Sequence, residues 1–414
     1  MPPTLRLRGA AAGLVIAAGV AACGSSSSSS QSSSGGDTGS ATAAVTIKLA
    51  IDGPMTGDAA ADGMHIRQGA ELAISQINAA GGIASGRYKG AKISADFLDD
   101  RETVDGAVSN ANTVVGDSTY WAYLGTGFSD AALGAAPVLD RAGVSFLSTY
   151  ASSDLILAKP KQNVFVVPPT FPAYAFSAAE RAVKLGYRKV AVLEANAGFA
   201  THMADLFTTH FQQLGGTVVD TEKYEFGAKD VQAAVAKVKA SAPDAIAMAG
   251  LTGDDTAQLK ALHAAGVTVP VIDTEAVLYS RDFITAAGAD AEGVIGQTPS
   301  DPQRSGTQAA ALRNAWQSAH GTVDVPDPSA FTYEAVYAIA RALESSPADR
   351  TGLGAALHSV TITDTGVAPL AFDASGARLQ GVLWYFTVKG GAFTFDTGYR
   401  QTAPMTVKEI PLQH

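Results

Sequence analysis

Short apolar runs alternate along this chain with stretches in which apolar residues recur every three or four positions. Ile47 to Ile51 is such a run and ends in Gly53-Pro54, after which Ile66, Ala70, Ala73 and Ile77 fall on one helical face. Lys92 to Leu98, Tyr120 to Leu124 and Val144 to Leu147 read as further strands, each preceded by a helix-like stretch. The rhythm resumes at Val190 to Leu193, Thr217 to Asp220, Ala245 to Met248, Val269 to Ile272 and Val294 to Ile295, with a helix burying Val231, Val235 and Val238 among them. Glycines at 81–82, 143, 215–216 and 266 close apolar-periodic runs, where a residue without Cβ suits the left-handed position. Strands alternating with helices predict parallel sheets covered on both faces.

The rhythm breaks near Pro168-Pro169 and again near Thr298-Pro299. Beyond the second break three helical stretches (Gln308 to Ala319, Ser329 to Leu343, Gly352 to His358) lead into a β-rich tail from Pro369 to Phe395. Two α/β lobes of similar size, joined through more than one crossing, account most simply for this order.

The first 44 residues do not follow the pattern. Arg6 and Arg8 precede an apolar, alanine-rich segment from Gly9 to Val20, and Val20-Ala21-Ala22-Cys23 closes it with small residues. This close resembles the bacterial lipobox, which implies that Cys23, the single cysteine of the chain, takes a diacylglyceryl group after removal of residues 1–22. Residues 23–44 are rich in serine and glycine, so they bury no core and form a tether of roughly 25 Å reach. Two acyl chains hold a protein at a membrane where one is marginal. No later segment has the roughly 20 apolar residues of a membrane span. The expectation is an extracytoplasmic protein, lipid-anchored to the cell membrane.

Composition adds exclusions. Lys and Arg total 29 against 39 Asp and Glu, a net charge of −10 that argues against a nucleic-acid partner. With one cysteine, already assigned, stability must come from core burial rather than disulfides. The seven histidines show no metal-ligand spacing (His202 and His210 are eight apart), so no metal and no cofactor is expected.

The body then resembles a known family. Gly53-Pro54-Met55-Thr56-Gly57, Gly63, Gly69-Ala70-Glu71-Leu72-Ala73 and Ile77-Asn78-Ala79-Ala80-Gly81-Gly82-Ile83 stand in its order and spacing. Asp99-Asp100, Gly215-Gly216 with Asp230, Pro243-Asp244, Ala264-Ala265-Gly266-Val267 with Pro270, and Tyr333-Glu334-Ala335-Val336-Tyr337 follow. The chain resembles the branched-chain amino acid binding proteins of ABC importers, of the type I periplasmic binding protein class. The resemblance implies an α/β fold of two doubly wound lobes with a ligand cleft between them, closing by a hinge motion. It places a third crossing near Gln380, giving lobe one as 45–169 plus 300–379 and lobe two as 170–299 plus 380–414. It also implies a monomer that delivers a small polar ligand, an amino acid of branched-chain type, to a permease.

Ligands in such sheets bind at the carboxyl ends of strands. Ser129, Ser152 beside Tyr150, and Glu275 all follow strand ends. The resemblance implies that Ser129 and backbone amides near Tyr150 and Ser152 hold the ligand carboxylate, as a helix N-terminus can, and that Glu275 takes the ammonium. The plainer reading of Ser129 is a helix N-cap with no ligand, a common role for serine. The family's two second-lobe tyrosines are matched by Phe199 and Leu251, and its first-lobe tyrosine by Asp62, so the side-chain pocket departs from the pattern. Two other functions compete. A ligand sensor for amides or other small solutes would use the same fold. An α/β hydrolase would use Ser129 in Gly127-Phe128-Ser129-Asp130-Ala131, although the second glycine of that elbow is missing.

Overall fold

Ile47, Leu49, Ala50 and Ile51 are fully buried, because the strand they form has neighbours on both edges and helices on both faces. The computed structural model describes residues 45–228, 230–300, 306–364, 366–367, 369–403 and 406–412; the leader, Cys23 and the linker lie outside these. In the first sheet β1 (Thr46–Gly53) pairs with β2 (Lys92–Asp99) and β3 (Tyr120–Gly125), and β4 (Ser145–Ser148) and β5 (Val164–Val166) continue outward from β3. All these pairs are parallel, in the order β2-β1-β3-β4-β5. Parallel strands buried on both faces read as continuous apolar runs, which is how they show in the sequence.

The second sheet repeats that order. β6 (Lys189–Ala195), β7 (Thr217–Tyr224), β8 (Ala245–Ala249), β9 (Val271–Asp273) and β10 (Ile295–Thr298) lie as β7-β6-β8-β9-β10, again parallel. A small antiparallel ribbon of β11 (Thr361–Ile362) and β12 (Leu370–Ala371) stands apart. β13 (Val382–Lys389), β14 (Ala392–Ala403) and β15 (Thr406–Pro411) then extend the second sheet antiparallel from β10. The sheet thus has eight strands, and the β-rich tail runs past Phe395 to Pro411. β9 begins at Val271 rather than Val269 because Pro270 has no N–H to give the ladder.

Helices α1 (Ala60–Ala79), α2 (Val104–Gly116) and α3 (Ser129–Arg141) connect the first strands. α4 (Phe171–Lys184), α5 (Gly198–Gln213), α6 (Gln232–Ala240), α7 (Thr252–Ala264) and α8 (Arg281–Ala287) serve the second sheet. α9 (Thr307–His320), α10 (Asp327–Ser345) and α11 (Leu353–His358) return to the first. Leu312 and Trp316 of α9, Phe331, Tyr333 and Ile339 of α10, and Leu353 and Leu357 of α11 share one apolar core with Ile66, Ala70 and Ala73 of α1. Gly69 lets α1 and α10 meet backbone to backbone: a Cβ there would stand 2.1 Å from the Ser329 carbonyl oxygen. The Ser329 hydroxyl donates to the His65 carbonyl at 2.8 Å across the same contact.

Local chemistry marks several starts. Thr103 caps α2 by accepting the Gly106 N–H at 3.0 Å, and Ser280 caps α8 by accepting that of Phe283 at 3.1 Å. Pro172 and Pro328 sit in the first turns of α4 and α10, where the missing N–H costs nothing. Among the described residues no helix is long and apolar enough to cross a membrane.

Candidate functional site

The orders β2-β1-β3-β4-β5 and β7-β6-β8-β9-β10 each create a switch point at the carboxyl ends of the strands, where open α/β sheets hold ligands. One cavity, about 400 Å³ counting its mouth, collects loops from both sheets at that level. Ser129, Tyr150, Ser152, Phe199, Leu251 and Glu275 all line it. Asp62 does not. It lines an adjoining acidic pocket with Asp58, Glu102 and Asp254, which shares Leu251 with the cavity.

From the first sheet comes the turn after β3. A Cβ on Gly125 would meet the Asp52 carbonyl oxygen at 2.3 Å, and one on Gly127 would meet Pro54 Cδ at 2.3 Å, so only glycine lets the turn run this tightly. Phe128, in extended conformation, precedes the helix, and Ser129 is the first residue of α3. Ser129 is therefore not the N-cap. It is 3% exposed and its Oγ accepts the Ser153 N–H at 3.3 Å. The first N–H groups of a helix have no intrahelical acceptor and carry its positive dipole end. The loop after β4 is tied to the end of β3 by the Thr149 N–H to Gly125 O at 3.1 Å and folded on itself by the Ser148 hydroxyl to Ala151 O at 2.5 Å.

From the second sheet comes the turn after β9, wrapped around the Asp273 carboxylate. Its Oδ1 accepts the N–H of Glu275 at 2.8 Å and of Ala276 at 3.2 Å, and its Oδ2 accepts that of Leu278 at 3.3 Å. Ala276 takes a φ of 63°, a strained value for a residue with a Cβ. Gln297 braces the turn from β10, donating to Thr274 O at 3.1 Å while accepting from Ser177 Oγ and the Tyr385 hydroxyl, both at 2.9 Å. Glu275 itself is 9% exposed, and its Oε1 is buried without a hydrogen-bond partner. Burial, then the carboxylates of Asp255, Asp273, Asp254 and Asp130, push its carboxyl well above the ordinary range. Such surroundings disfavour the charged form, and a cation beside the carboxyl favours it again.

Phe199 near the start of α5 and Leu251 just before α7 supply apolar wall. Phe128 packs on Phe199 with ring centroids 6.4 Å apart, and Phe199 on Phe226 at 5.5 Å. The Tyr150 hydroxyl is raised by burial and then by Asp62, with Thr252 beside it acting the other way; Thr252 also stands beside Asp62. Burial pushes Asp62 and Asp254 to about 6 and Glu102 to about 7.

Beyond the neighbours of the predicted residues, two helix starts that the sequence did not point to add Phe171, Tyr174, Asp327 and Phe331 to the lining. The first two open α4 and the others open α10. Both helix starts carry a readable signal, a proline in the first turn, but nothing in it says that they meet at one cavity.

Polar contacts join the two halves around the cavity. Asp130 accepts the Gly198 N–H at 3.0 Å, His202 Nε2 meets Asp154 at 2.8 Å, and His65 Nε2 meets Asp282 at 3.0 Å. The Asp154 hydrogen bond raises the His202 pKa.

Two doubly wound lobes with a cavity between their strand ends define a two-lobed solute-binding protein. The periplasmic binding protein family matches residues 46–392, and this chain belongs to it. Leu/Ile/Val-binding protein homolog 3 of Brucella melitensis is 28% identical over 345 residues, 82% of this chain and 90% of its own length. A leucine-, isoleucine-, valine-, threonine- and alanine-binding protein of Pseudomonas aeruginosa is 28% identical over 348 residues, 81% of this chain and 87% of its own. Among solved structures, the branched-chain amino acid transporter substrate-binding protein LivJ from Streptococcus pneumoniae, in complex with isoleucine, shares 21% identity at a TM-score of 0.77, covering 89% of this chain and 100% of that one. An R. palustris solute-binding protein in complex with benzoate has the same TM-score of 0.77 at 19% identity, covering 84% and 95%. The fold is therefore the two-lobed type I architecture, and the family's place is outside the cytoplasm.

Proposed function

We propose that this chain captures an α-amino acid by closing its lobes and delivers it to an ABC importer. The observation that carries the reading is Glu275: a buried carboxyl oxygen without a partner shares one cavity with the start of α3. A zwitterion satisfies both ends, its ammonium on Glu275 and its carboxylate on Ser129, the α3 N–H groups and the Tyr150–Ser152 loop. The names of the Brucella and Pseudomonas relatives and the isoleucine in the S. pneumoniae structure support an amino acid of branched-chain type. Phe199 and Leu251 form wall in this reading, and Asp62 acts from the adjoining pocket, next to Thr252. No catalysis is assigned to Ser129, whose hydroxyl is engaged by Ser153. The same capture would serve a sensor that passes its signal to a separate membrane protein.

The lobes that close are 45–169 plus 300–379 and 170–299 plus 380–414, in a monomer. Small-angle scattering is the test: adding a calorimetrically verified amino-acid ligand should reduce the radius of gyration. An unchanged radius at saturation would count against closure.

A second reading has one observation behind it. Phe128, Phe171, Tyr174, Phe199 and Phe331 make an aromatic lining, and the R. palustris structure holds benzoate. An aromatic carboxylate gives Glu275 no ammonium, so benzoate binding that is indifferent to Glu275→Ala would favour it.

The Cys23 anchor belongs to the same proposal, resting on Val20 to Cys23 and the serine-rich tether. Cys23→Ala should leave the leader uncleaved and abolish fatty-acid labelling. Label incorporated by the variant as strongly as by wild type would sink the anchor.

A further inference from the structure

Asp327 is the carboxyl of the cavity that a simple zwitterion leaves unused. It is the first residue of α10 and is 3% exposed. Its Oδ1 accepts two hydroxyls, Thr298 Oγ1 and Ser300 Oγ, each at 2.8 Å. Its Oδ2 is buried and has no hydrogen-bond partner. Phe331, four positions on and so on the same helix face, lines the cavity too. That face of α10 thus brings a phenyl and a carboxyl to the ligand space. No lysine, arginine or histidine is among the lining residues, so the wall offers Oδ2 no cation. Glu275 stands in the same cavity with its own unpartnered oxygen. Glu275, presented by the turn after β9, is the acceptor that the proposed function gives to the α-ammonium, which leaves Asp327 Oδ2 for a further donor of the ligand.

We propose that Asp327 sets ligand specificity: its Oδ2 receives a second donor, so the solute is an amino acid whose side chain ends in N–H or O–H rather than in bare hydrocarbon. This rests on the α-amino-acid part of the proposed function and replaces its branched-chain part at the far end of the ligand. The aromatic wall takes the methylenes and Asp327 takes the tip. Burial holds the Asp327 carboxyl up to about 8, and a donor, above all a cationic one, draws it back to the ionised, accepting form. A hydrocarbon tip would leave that oxygen buried and unpaired, a loss the site avoids only with a donor.

Calorimetry on wild type and Asp327→Asn against isoleucine, threonine, glutamine, lysine and arginine tests this. Asparagine keeps an oxygen for Thr298 and Ser300 and puts an NH₂ where Oδ2 stood. At least one donor-bearing amino acid should bind wild type roughly tenfold or more tighter than isoleucine, and the variant should lose about tenfold to a hundredfold for it while isoleucine moves less than about threefold. A wild type that prefers isoleucine overturns the proposal. So does an equal loss for all five, since Asp327 would then only tie α10 to residues 298–300. If the variant unfolds, the wild-type ranking alone decides. Failure of the parent reading looks different: wild type would bind none of the five, and the specificity proposal would fall with it.

Discussion

Replacing Glu275 by alanine abolishes measurable amino-acid binding and leaves the protein folded. A ligand ammonium enclosed between two lobes loses its water and needs a charged acceptor. Glu275 is the carboxyl whose turn is built to present it: Asp273 pins the backbone on one side and Gln297 braces it on the other. Removing one partner of a buried charge pair costs about 3–5 kcal/mol, or two to nearly four decades of affinity. The fold loses little, because the Glu275 carboxyl is itself a burden without a cation. Its pKa is raised, so in the unliganded protein the carboxyl is uncharged at low pH and ionises only at cost as pH rises. Ligand binding should therefore release a proton, and affinity should fall as pH is lowered. Calorimetry on folded Glu275→Ala, with Glu275→Gln as the isosteric control, is decisive. Binding within tenfold of wild type would remove Glu275 from the ammonium site.

The second large effect is on stability, at Glu334. Arg378 Nη1 meets Glu334 Oε2 at 2.9 Å, and the two side chains are 1% and 0% exposed. Arg378 also donates to the carbonyls of Val167 at 2.8 Å and Pro369 at 3.3 Å, and Glu334 Oε1 accepts the Val367 N–H at 2.9 Å. Val167 is the last residue before Pro168-Pro169, where the chain departs for the second sheet, and Arg378 precedes its later departure toward β13. The pair thus ties α10 to both outgoing segments. Glu334→Ala strips a buried guanidinium of its carboxylate and should cost about 3–5 kcal/mol. The double replacement Glu334→Leu with Arg378→Met should recover much of that, since apolar residues of similar volume often match a buried pair. Urea unfolding of both variants checks this. A single variant within about 1 kcal/mol of wild type would mean the pair carries no such load.

Much of this fold was written in the apolar runs. β1, β3, β6 and β8 are buried on both faces, so most of their positions are apolar and the signal is strong even in five to eight residues. β5 escaped because Val164–Val166 is too short to separate from its surroundings. α4 escaped for the opposite reason. From Phe171 to Ala182 it is buried nearly all round, so it lacks the polar face that makes a helical period visible. The cavity shows the same division. Ser129, Ser152 and Glu275 follow strand ends and could be placed from sequence order and a family resemblance. Asp327 could not, because an acidic residue before a helical proline is a common helix start, and only the return of α10 to the first sheet carries it to the ligand space.

That return has a consequence for how the protein comes to be folded. Tyr385 bonds Gln297 from 88 positions away, and Ser329 bonds His65 from 264 away. The first lobe lacks the α10 part of its helical cover until residues beyond 327 exist, and β10 stays an unpaired sheet edge until β13 is made. Pairings so distant in sequence fold slowly. A chain emerging from the ribosome should therefore complete its native packing only once α10 and β13 have been made. The same delay leaves the β10 edge open to pairing with other chains until β13 covers it.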